Sequence, residues 1–307
     1  MDAFLGEVQS EGEVTVTVVS WNIAKRKKPW HQLLQMNADI ALLQEVASVP
    51  PDVADQVDTG PIEHWDSHRW NSRWYEGRFE KLYDRWPMVV KLSDRVEVEW
   101  FKQVSPISQT LEDEIAVSGI GTIAAARIIP QDDPPFIVVS MYARWIRPHP
   151  STKSKWGVGF QDSSAHRIIS DLSSFIGSTD PGTHRILAAG DLNTILGATD
   201  DNSLALPARD RTIMDRMDAL GMEFLGPQYP AGRQAHPRPR GLPTDTRNVP
   251  TFYTTRQSPK TAQNQLDYAF ASHGFHKSVS VEAMNTAEEW GASDHCRLLI
   301  KIANPKM

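Results

Sequence analysis

The chain has 307 residues, of which 40% are hydrophobic and 23% are charged, and its formal net charge at pH 7 is −6. This composition is that of an ordinary globular protein and excludes an intrinsically disordered chain. The negative net charge argues against a globally basic protein that binds nucleic acid without specificity. No apolar run approaches the roughly 18 residues of a membrane span, so no transmembrane helix is predicted.

The single cysteine, Cys296, permits no internal disulfide, which favours a reducing compartment. The segment Met1–Val14 is acidic and has neither the basic nor the apolar region of a secretory signal. Together these features predict a cytoplasmic protein. The length would allow two small domains. We predict a single domain over residues 1–307, because the motifs described below place residues from both ends of the chain in one site.

Strand patterns dominate the N-terminal half of the chain. Val14, Val16 and Val18 alternate with threonines, which is the pattern of a half-buried strand. A Pro-rich turn at 130–135 joins two later apolar runs. In chain order the predicted elements are the strand Val14–Ser20, the helix Trp30–Met36 and the strands Ile40–Glu45, Val96–Trp100, Gly121–Ile129 and Phe136–Met141.

The C-terminal half begins with a helix. Apolar residues recur with the helical period over Ser163–Ile176, and Gly177 follows as the predicted C-cap. The elements after it are the strand Arg185–Ala189, the helix Thr212–Leu220 and the strands Leu266–Ala271, Val279–Ala283 and Cys296–Ile302. Two groups of strands, each flanked by helices, predict two packed sheets that helices cover on the outside.

Two segments do not fit this compact pattern. In His64–Trp86, seven aromatic residues are interleaved with charged residues of both signs. These rings either fill the core and seat an insertion or stack on nucleic-acid bases. The segment Gly226–Lys260 contains seven prolines and three glycines. Because long irregular segments inside a domain are usually functional or disordered, we predict a loop that borders a cleft.

Several apolar runs lead into an acid or an amide, and one follows such residues. The residues in these positions are Asn22, Glu45, Asp191 with Asn193, and Asp294 with His295. Side chains two apart on a strand share a face, so Asp191 and Asn193 can point into one cleft. Gly190 leaves room there for a close backbone approach. The set is rich in oxygen and nearly free of sulfur, which suits a magnesium-type cation that handles phosphate oxygens.

Five short motifs follow one another along the chain. They are Trp21-Asn22, Gln44-Glu45, Gly190-Asp191-Leu192-Asn193, Gln265-Leu266-Asp267-Tyr268 and Ser293-Asp294-His295. In this order they resemble the signature of the endonuclease/exonuclease/phosphatase superfamily. The resemblance implies the deoxyribonuclease I-like α/β fold, a four-layer αββα sandwich of two mixed β-sheets flanked by helices. That superfamily includes nucleases, abasic-site endonucleases, inositol-phosphate phosphatases and sphingomyelinases, and a shared fold does not choose among them.

Cleavage of a phosphoester requires a cation on the nonbridging oxygens and a water activated for attack. Glu45 is the first candidate for the metal ligand, because an acid after an apolar strand core has little structural reason to be there. A stray edge glutamate is the alternative. Asp294, together with Asn22, completes the predicted protein ligands of Mg²⁺ or Mn²⁺, and waters and substrate fill the other positions. Asn22 could instead be a turn-forming residue.

The remaining motif residues are predicted to carry the chemistry. Asp191 is the predicted base for the attacking water, and Asn193 is predicted to hydrogen-bond that water or the phosphate; a simple turn is the alternative. His295 is predicted to donate to a phosphate oxygen, with Asp267 orienting its ring. A core histidine with satisfied partners is the alternative. Tyr142 stands where the family carries Tyr or His, and Tyr is typical of the abasic-site endonucleases; a partly buried strand-end tyrosine is the alternative.

Three arginines are predicted to bind substrate. Arg144 lies two residues after Tyr142 on the same strand face and is predicted to grip a flanking phosphate. Arg233 and Arg247 belong to the loop 226–260, which has six Lys or Arg and one acid. The run Lys25–Lys28 is either a second basic contact or a solvated loop. The chain also departs from many nucleases, which place a second asparagine two residues after the first, where this chain has an alanine.

The first functional hypothesis is a divalent-metal-dependent phosphodiesterase that acts as a nuclease on nucleic acid. The alternative within the same fold is hydrolysis of a small phosphoester, such as an inositol phosphate, a nucleotide or a phospholipid headgroup. A catalytically inactive binding module is the third hypothesis. Salt distinguishes the first two, because a polyanionic substrate predicts steep salt dependence and a small headgroup predicts little.

Overall fold

The computed structural model describes residues 14–66, 86–107, 109–118, 122–144, 160–177, 180–194, 207–239 and 242–303. Nearly all of the acidic N-terminal segment and most of the aromatic segment His64–Trp86 therefore lie outside the described residues. Both interpretations of those segments stay predictions. No helix in the described part of the chain is long and apolar enough to cross a membrane.

The described elements are mostly strands, with four α-helices among them. The strands are β1 (Val14–Asn22), β2 (Ile40–Val46), β3 (Trp86–Lys91), β4 (Val96–Trp100), β5 (Lys102–Val104), β6 (Glu114–Ala116), β7 (Ile123–Pro130), β8 (Phe136–Tyr142), β9 (Ile186–Asp191), β10 (Met222–Gly226), β11 (Asp267–Ser272), β12 (Val279–Met284) and β13 (Arg297–Ala303). The α-helices are α1 (Lys28–Leu33), α2 (Pro51–Ala54), α3 (Phe160–Ile176) and α4 (Pro207–Ala219).

Eleven of these strands form two mixed sheets. Sheet A has the order β12-β13-β1-β2-β3, and sheet B has the order β10-β11-β9-β8-β7-β4. In sheet A, β1 is parallel to β2 and antiparallel to β13. In sheet B, β9 is parallel to β8 and antiparallel to β11. The remaining pair, β5 and β6, is a small parallel sheet of its own.

The side chains of β1 show how the layers are built. Val18 points into the apolar core between the two sheets, whereas its neighbour Val19 packs on the opposite face, toward Trp30 of α1. The outer face of sheet B is covered by α3 and α4 through residues such as Leu172 and Met217. This confirms the predicted four-layer αββα sandwich. The helices on sheet A are short, with six residues in α1 and four in α2.

Most predicted elements are present with shifted ends. The helix predicted over Trp30–Met36 lies at Lys28–Leu33, because a proline in its first turn favours an earlier start. Gly177 has φ of 69°, as expected for a C-cap glycine. Strands β3, β5, β6 and β10 were not predicted. The segment Gly226–Lys260 joins β10 to β11 as the predicted loop. The single domain over residues 1–307 stays a prediction.

Candidate active site

Sheet A brings three of its chain segments to one edge. Strands β1 and β2 are parallel, so Asn22 at the end of β1 and Glu45 near the end of β2 lie at the same edge. Strand β13 runs the opposite way, so its start, preceded by Asp294 and His295, is at that edge too. Glu45 has φ of 52° and sits where the pairing of β2 with β3 shifts register. Such a bulge re-aims a side chain out of the pleat.

The central strands of sheet B also bring three of the predicted catalytic residues to one edge. Tyr142 ends β8 and Asp191 ends the parallel strand β9, and the two residues are register partners. Asp267 begins the antiparallel strand β11 and is the register partner of Asp191 on the other side. The predicted catalytic residues of sheet B are therefore adjacent at a single sheet edge.

Three hydrogen bonds join the two sheets at this edge. Asn22 donates from Nδ2 to Asp191 Oδ2 at 2.9 Å. Tyr142 donates its hydroxyl to Glu45 Oε1 at 3.0 Å. Nδ1 of His295 lies 2.8 Å from Asp267 Oδ2. Because each bond links one sheet to the other, the sandwich positions all six side chains in one cluster, which we call the strand-end cluster.

Asn193 reaches Asp191 through a turn. Its φ is 50°, and its backbone N–H donates to Asp191 Oδ1 at 2.8 Å. Its side-chain Nδ2 donates to Asp191 Oδ2 at 3.0 Å and to the carbonyl of Ala143 at 2.8 Å. The predicted proximity is present, but a left-handed turn creates it in place of strand alternation. Gly190 leaves room for the backbone of β8, since a Cβ there would lie 1.9 Å from the carbonyl oxygen of Met141.

The strand-end cluster holds a charged imidazole. His295 is 5% exposed, and burial alone would lower the pKa of its ring. The carboxylates of Asp267 and Asp191 outweigh that effect and raise the pKa of His295 to about 10. Burial raises the pKa of Asp191 to about 7, while the positive charge of His295 opposes the rise. The ring is therefore an imidazolium at neutral pH and can donate from both nitrogens.

Two sets of candidate metal ligands lie in or beside the strand-end cluster. Ligand atoms of Asp191, Asp267 and His295 lie within 4.8 Å of one another. Of these three, His295 has no lone pair for a metal while it is an imidazolium. The carboxylate of Glu45 and the partly exposed carboxylate of Asp294 offer the oxygen donors that magnesium and manganese prefer.

The side-chain amide of Asn22 lies between two acids. Its side-chain oxygen accepts the backbone N–H of Ala24 at 3.0 Å, and its Nδ2 faces the carboxylates of Glu45 and Asp191 at 3.3 and 2.9 Å. In this arrangement the amide bridges two acids and turns its oxygen away from them. Asn22 therefore links Glu45 and Asp191 in this structure, and its role as a metal ligand stays a prediction.

The three predicted substrate arginines lie in different surroundings. Arg144 is 4% exposed, and its guanidinium lies over the rings of Trp86 and Tyr142 at 5.6 and 5.7 Å. Arg233 donates to the backbone carbonyls of Gln234, Pro259 and Asn285, which argues against the predicted phosphate contact. Those bonds are 3.0, 2.8 and 3.3 Å long. Arg247 is exposed and uses Nε to bind its own loop.

Sequence reasoning missed two supports of the strand-end cluster. Ser293 donates its hydroxyl to the carbonyl of Asn22 at 2.6 Å and approaches Asp294 Oδ1 at 3.2 Å. Arg26 lies 3.8 Å from Asp294 and bonds the carbonyl of Ala292. The basic run after Asn22 was the available signal for Arg26. Its opposite charge beside an acidic motif could have indicated a contact within the site.

Comparison with known proteins gives a match in structure alone. No protein-family model matches the sequence, and no curated protein does. The AP endonuclease LMAP from Leishmania major matches with a TM-score of 0.56 at 15% identity, over 94% of this chain and 88% of that chain. The catalytic domain of Xenopus laevis APE2 matches with a TM-score of 0.54 at 18% identity, over 94% of each chain.

A phosphatase is also among the similar structures. The mannosyl-6-phosphatase Bt3783 from Bacteroides thetaiotaomicron matches with a TM-score of 0.52 at 13% identity, over 94% of this chain and 100% of that chain. At these identities the similarity establishes the fold, and the choice of substrate has to come from the site.

Proposed function

We propose that this chain, which has the fold of the endonuclease/exonuclease/phosphatase superfamily, is a divalent-metal-dependent phosphoester hydrolase and acts as a nuclease on nucleic acid. The observation that carries this proposal is the strand-end cluster. Its hydrogen bonds join the two sheets in one acidic site with a charged histidine. A buried cluster of this kind stabilises a fold poorly, because each charge loses its hydration. It does suit a site that handles a phosphoryl group.

Glu45 and Asp294 are the residues that we propose hold Mg²⁺ or Mn²⁺. When bound, the cation would supply neutralising charge on the phosphoryl oxygens. Tyr142 donates to Glu45 Oε1, and Asn22 approaches the same oxygen. These two donors fix the orientation of Glu45, as supporting groups commonly do for metal ligands.

Asp191, Asn193 and His295 are the residues that we propose act on water and phosphate. Asp191 is fixed by the amide groups of Asn193 and Asn22, so one orientation of its carboxylate is held for the attacking water. His295 Nε2 lies 3.9 Å from Asp191 Oδ2, which is too long for a hydrogen bond. Nε2 is therefore left to donate to a phosphoryl oxygen that approaches it, while Asp267 binds the other nitrogen.

Nucleic acid is our preferred substrate because exposed cations lie on segments next to the strand-end cluster. Arg26, Lys27 and Lys28 follow Asn22 and are exposed. Arg238 and Arg247 are exposed on the loop that leads to β11. Repeated phosphates would engage several of these charges at once, so we expect affinity to fall steeply with salt. A tyrosine at the position of Tyr142 is typical of the abasic-site endonucleases. Duplex DNA with an abasic site is therefore the first substrate to test.

Hydrolysis of a small phosphoester is the second candidate. One similar structure is a sugar phosphatase, and the net charge of −6 gives the chain no general affinity for polyanions. Salt separates the two candidates. Turnover of a small phosphoester should change little with ionic strength, whereas turnover of DNA or RNA at low substrate concentration should fall as salt rises.

The proposal is tested by turnover with and without metal. Purified protein should cleave at least one of abasic duplex, single-stranded DNA, RNA, plasmid, an inositol phosphate or a chromogenic phosphodiester. A chelator should abolish this turnover, and Mg²⁺ or Mn²⁺ should restore it. Glu45→Gln should raise the metal concentration needed for half-maximal rate, while the control Glu282→Gln, at an exposed site on β12, should not. Turnover that is unaffected by chelator would contradict the proposal, as would no turnover of any substrate.

A further inference from the structure

One short piece of the long loop touches both halves of the His295–Asp267 pair. Residues Thr251–Tyr253 run between the segment before β11 and the segment before β13. Thr251 and Phe252 both donate their N–H to the carbonyl of Asn264, at 2.8 and 3.0 Å. On the other side, Tyr253 N donates to Asp294 O at 3.0 Å, and Cys296 N donates to Thr251 O at 2.8 Å. The piece therefore ties the two segments together through the backbone.

The hydroxyl of Thr251 is placed at the start of β11. Its Oγ1 accepts the backbone N–H of Leu266 at 3.0 Å and that of Asp267 at 3.1 Å. Thr251 is 0% exposed, so water cannot replace this acceptor without a rearrangement. A buried N–H that loses its partner is strongly unfavourable. Thr251 thus fixes the backbone from which the Asp267 carboxylate reaches His295.

The neighbouring side chain restrains the other half of the pair. The ring of Phe252 lies with its centroid 4.8 Å from that of His295, at an interplanar angle of 47°. This contact limits how far the imidazole can rotate. Thr251 and Phe252 are adjacent in sequence. One dipeptide therefore restrains both the backbone of Asp267 and the imidazole of His295.

From these contacts we infer that Thr251 is a positioning residue, whose hydroxyl sets the distance and angle between Asp267 and His295. The inference rests on the proposed function in one respect, which is that Asp267 and His295 serve hydrolysis. The hydrogen bonds of Thr251 to Leu266 and Asp267 do not depend on that function. A displacement of about 1 Å in a catalytic group can lower a rate by about 10²-fold, so a buried hydroxyl that touches no substrate can control turnover.

Two substitutions separate the hydroxyl from the shape of the side chain. Thr251→Val keeps the shape and removes the acceptor, whereas Thr251→Ser keeps the acceptor and removes a methyl group. We expect Thr251→Val to lower kcat by about 10- to 100-fold and to leave KM within about twofold. We expect Thr251→Ser to retain most of the wild-type kcat. Thr254→Val is the matched control, since Thr254 is exposed in the same loop and its hydroxyl bonds only Gln257 among the described contacts.

A second measurement does not depend on turnover. In protein labelled with ¹⁵N-histidine, the proton on Nδ1 of His295 should give a downfield resonance from its hydrogen bond to Asp267. That resonance should persist in Thr251→Ser and shift upfield or disappear in Thr251→Val. If the wild-type protein turned over no phosphoester, this result would still establish the positioning role, and only the proposed function would fail.

Several outcomes would overturn the inference. One is a folded Thr251→Val protein with wild-type kcat and an unchanged resonance. Another is an equal loss in Thr251→Ser and Thr251→Val, which would assign the effect to packing of the methyl group. If Thr251→Val does not fold, Thr251→Ala replaces it in both measurements, with the same expected direction. A wild-type result for a folded Thr251→Ala would then overturn the inference.

Discussion

Two buried histidines in this molecule have opposite charge states. His295 is 5% exposed and His64 is 0% exposed. Burial lowers the pKa of His64 to about 4, and its partners are neutral backbone groups, the carbonyl of Pro61 and the N–H of Val89. In His295 the carboxylates of Asp267 and Asp191 reverse the effect of burial and raise the pKa to about 10. Burial acts on both rings in the same direction, and the partners decide the charge.

The two histidines differ in the partners of their ring nitrogens. His64 uses one nitrogen on a carbonyl and the other on an N–H, which is the bonding of a neutral ring that joins structural segments. His295 has an acid near each nitrogen, and both acids come from the opposite sheet. A fold gains little stability from burying three ionisable groups together. The comparison therefore points to function at His295 and to structure at His64.

The largest effect is expected from a change to Asp191, one of the acids beside His295. Asp191→Asn keeps the shape of the side chain and removes the proposed base. We expect kcat to fall by about 10²- to 10⁴-fold, the range typical of a lost general base. Steady-state turnover of a chromogenic phosphodiester at saturating metal measures the effect.

The control for this substitution is another buried acid. Asp171 is 5% exposed, its Oδ2 accepts the N–H of Ser118, and burial raises the pKa of its carboxyl as well. Asp171→Asn should leave kcat unchanged, since α3 lies on the outer face of sheet B. Equal losses in the two variants would show that kcat responds to any buried acid, and the assignment of Asp191 would be wrong.

The opposite pKa shifts of His64 and His295 predict opposite effects of pH on stability. The pKa of His64 is lowered in the folded state, so the unfolded state binds more protons between pH 6.5 and about 4. The protein should therefore lose up to about 3 kcal/mol of stability as pH falls through that range. The pKa of His295 is raised, so its contribution is present below pH 6.5 and is lost as pH rises toward about 10.

Urea unfolding of the metal-free protein at pH 5, 7 and 9 measures both slopes. Relative to wild type, His64→Gln should flatten the loss on the acid side, and His295→Gln should flatten the loss on the alkaline side. If both variants changed the same side of the plot of unfolding free energy against pH, the two rings would have the same charge state. The opposite charge states assigned to His64 and His295 would then be wrong.

The smallest effect is expected from the arginines of the loop 226–260. Like the two histidines, these arginines differ in their partners. Arg233 binds three backbone carbonyls of the protein, whereas Arg238 and Arg247 are exposed. Changing Arg238 and Arg247 to Gln should raise KM for DNA and reduce the log–log salt slope by about 0.9 per lost phosphate contact. Turnover of a small phosphodiester should hardly change.

Arg233→Gln should behave differently from that pair. It should lower stability by about 1–3 kcal/mol, because it removes charged donors from partly buried carbonyls, and it should leave the salt slope as in wild type. A salt slope that falls with Arg233→Gln alone would restore the phosphate contact predicted for Arg233. An unchanged slope in the Arg238 and Arg247 variant would remove the main reason for preferring nucleic acid.

The layout of the strand-end cluster could be predicted because its residues stand at the ends of apolar runs. Parallel strands bring such ends to one sheet edge, so Asn22 and Glu45, or Tyr142 and Asp191, meet without any knowledge of the loops. The pairing of His295 with Asp267 followed from the resemblance and the chemistry of the side chains. Its length of 2.8 Å agrees with that prediction.

Other features depend on contacts that no local pattern contains. Arg233 reads as a basic loop residue, and only the folded loop shows that carbonyls surround its guanidinium. The direction of the Asn22 amide follows from two acids that lie 23 and 169 residues away. The role of Thr251 is hidden for the same reason, since its partners are backbone groups that have no signature in the sequence.

The central claim is that His295 and Asp267 act as one unit in metal-dependent hydrolysis. A double-mutant cycle tests it most directly, with kcat measured at saturating metal for His295→Ala, Asp267→Asn and the double variant. We predict that each single change lowers kcat by about 10²-fold or more. The kcat of the double variant should be only slightly below that of the less active single variant. Additive losses, or a single variant with wild-type kcat, would contradict the claim.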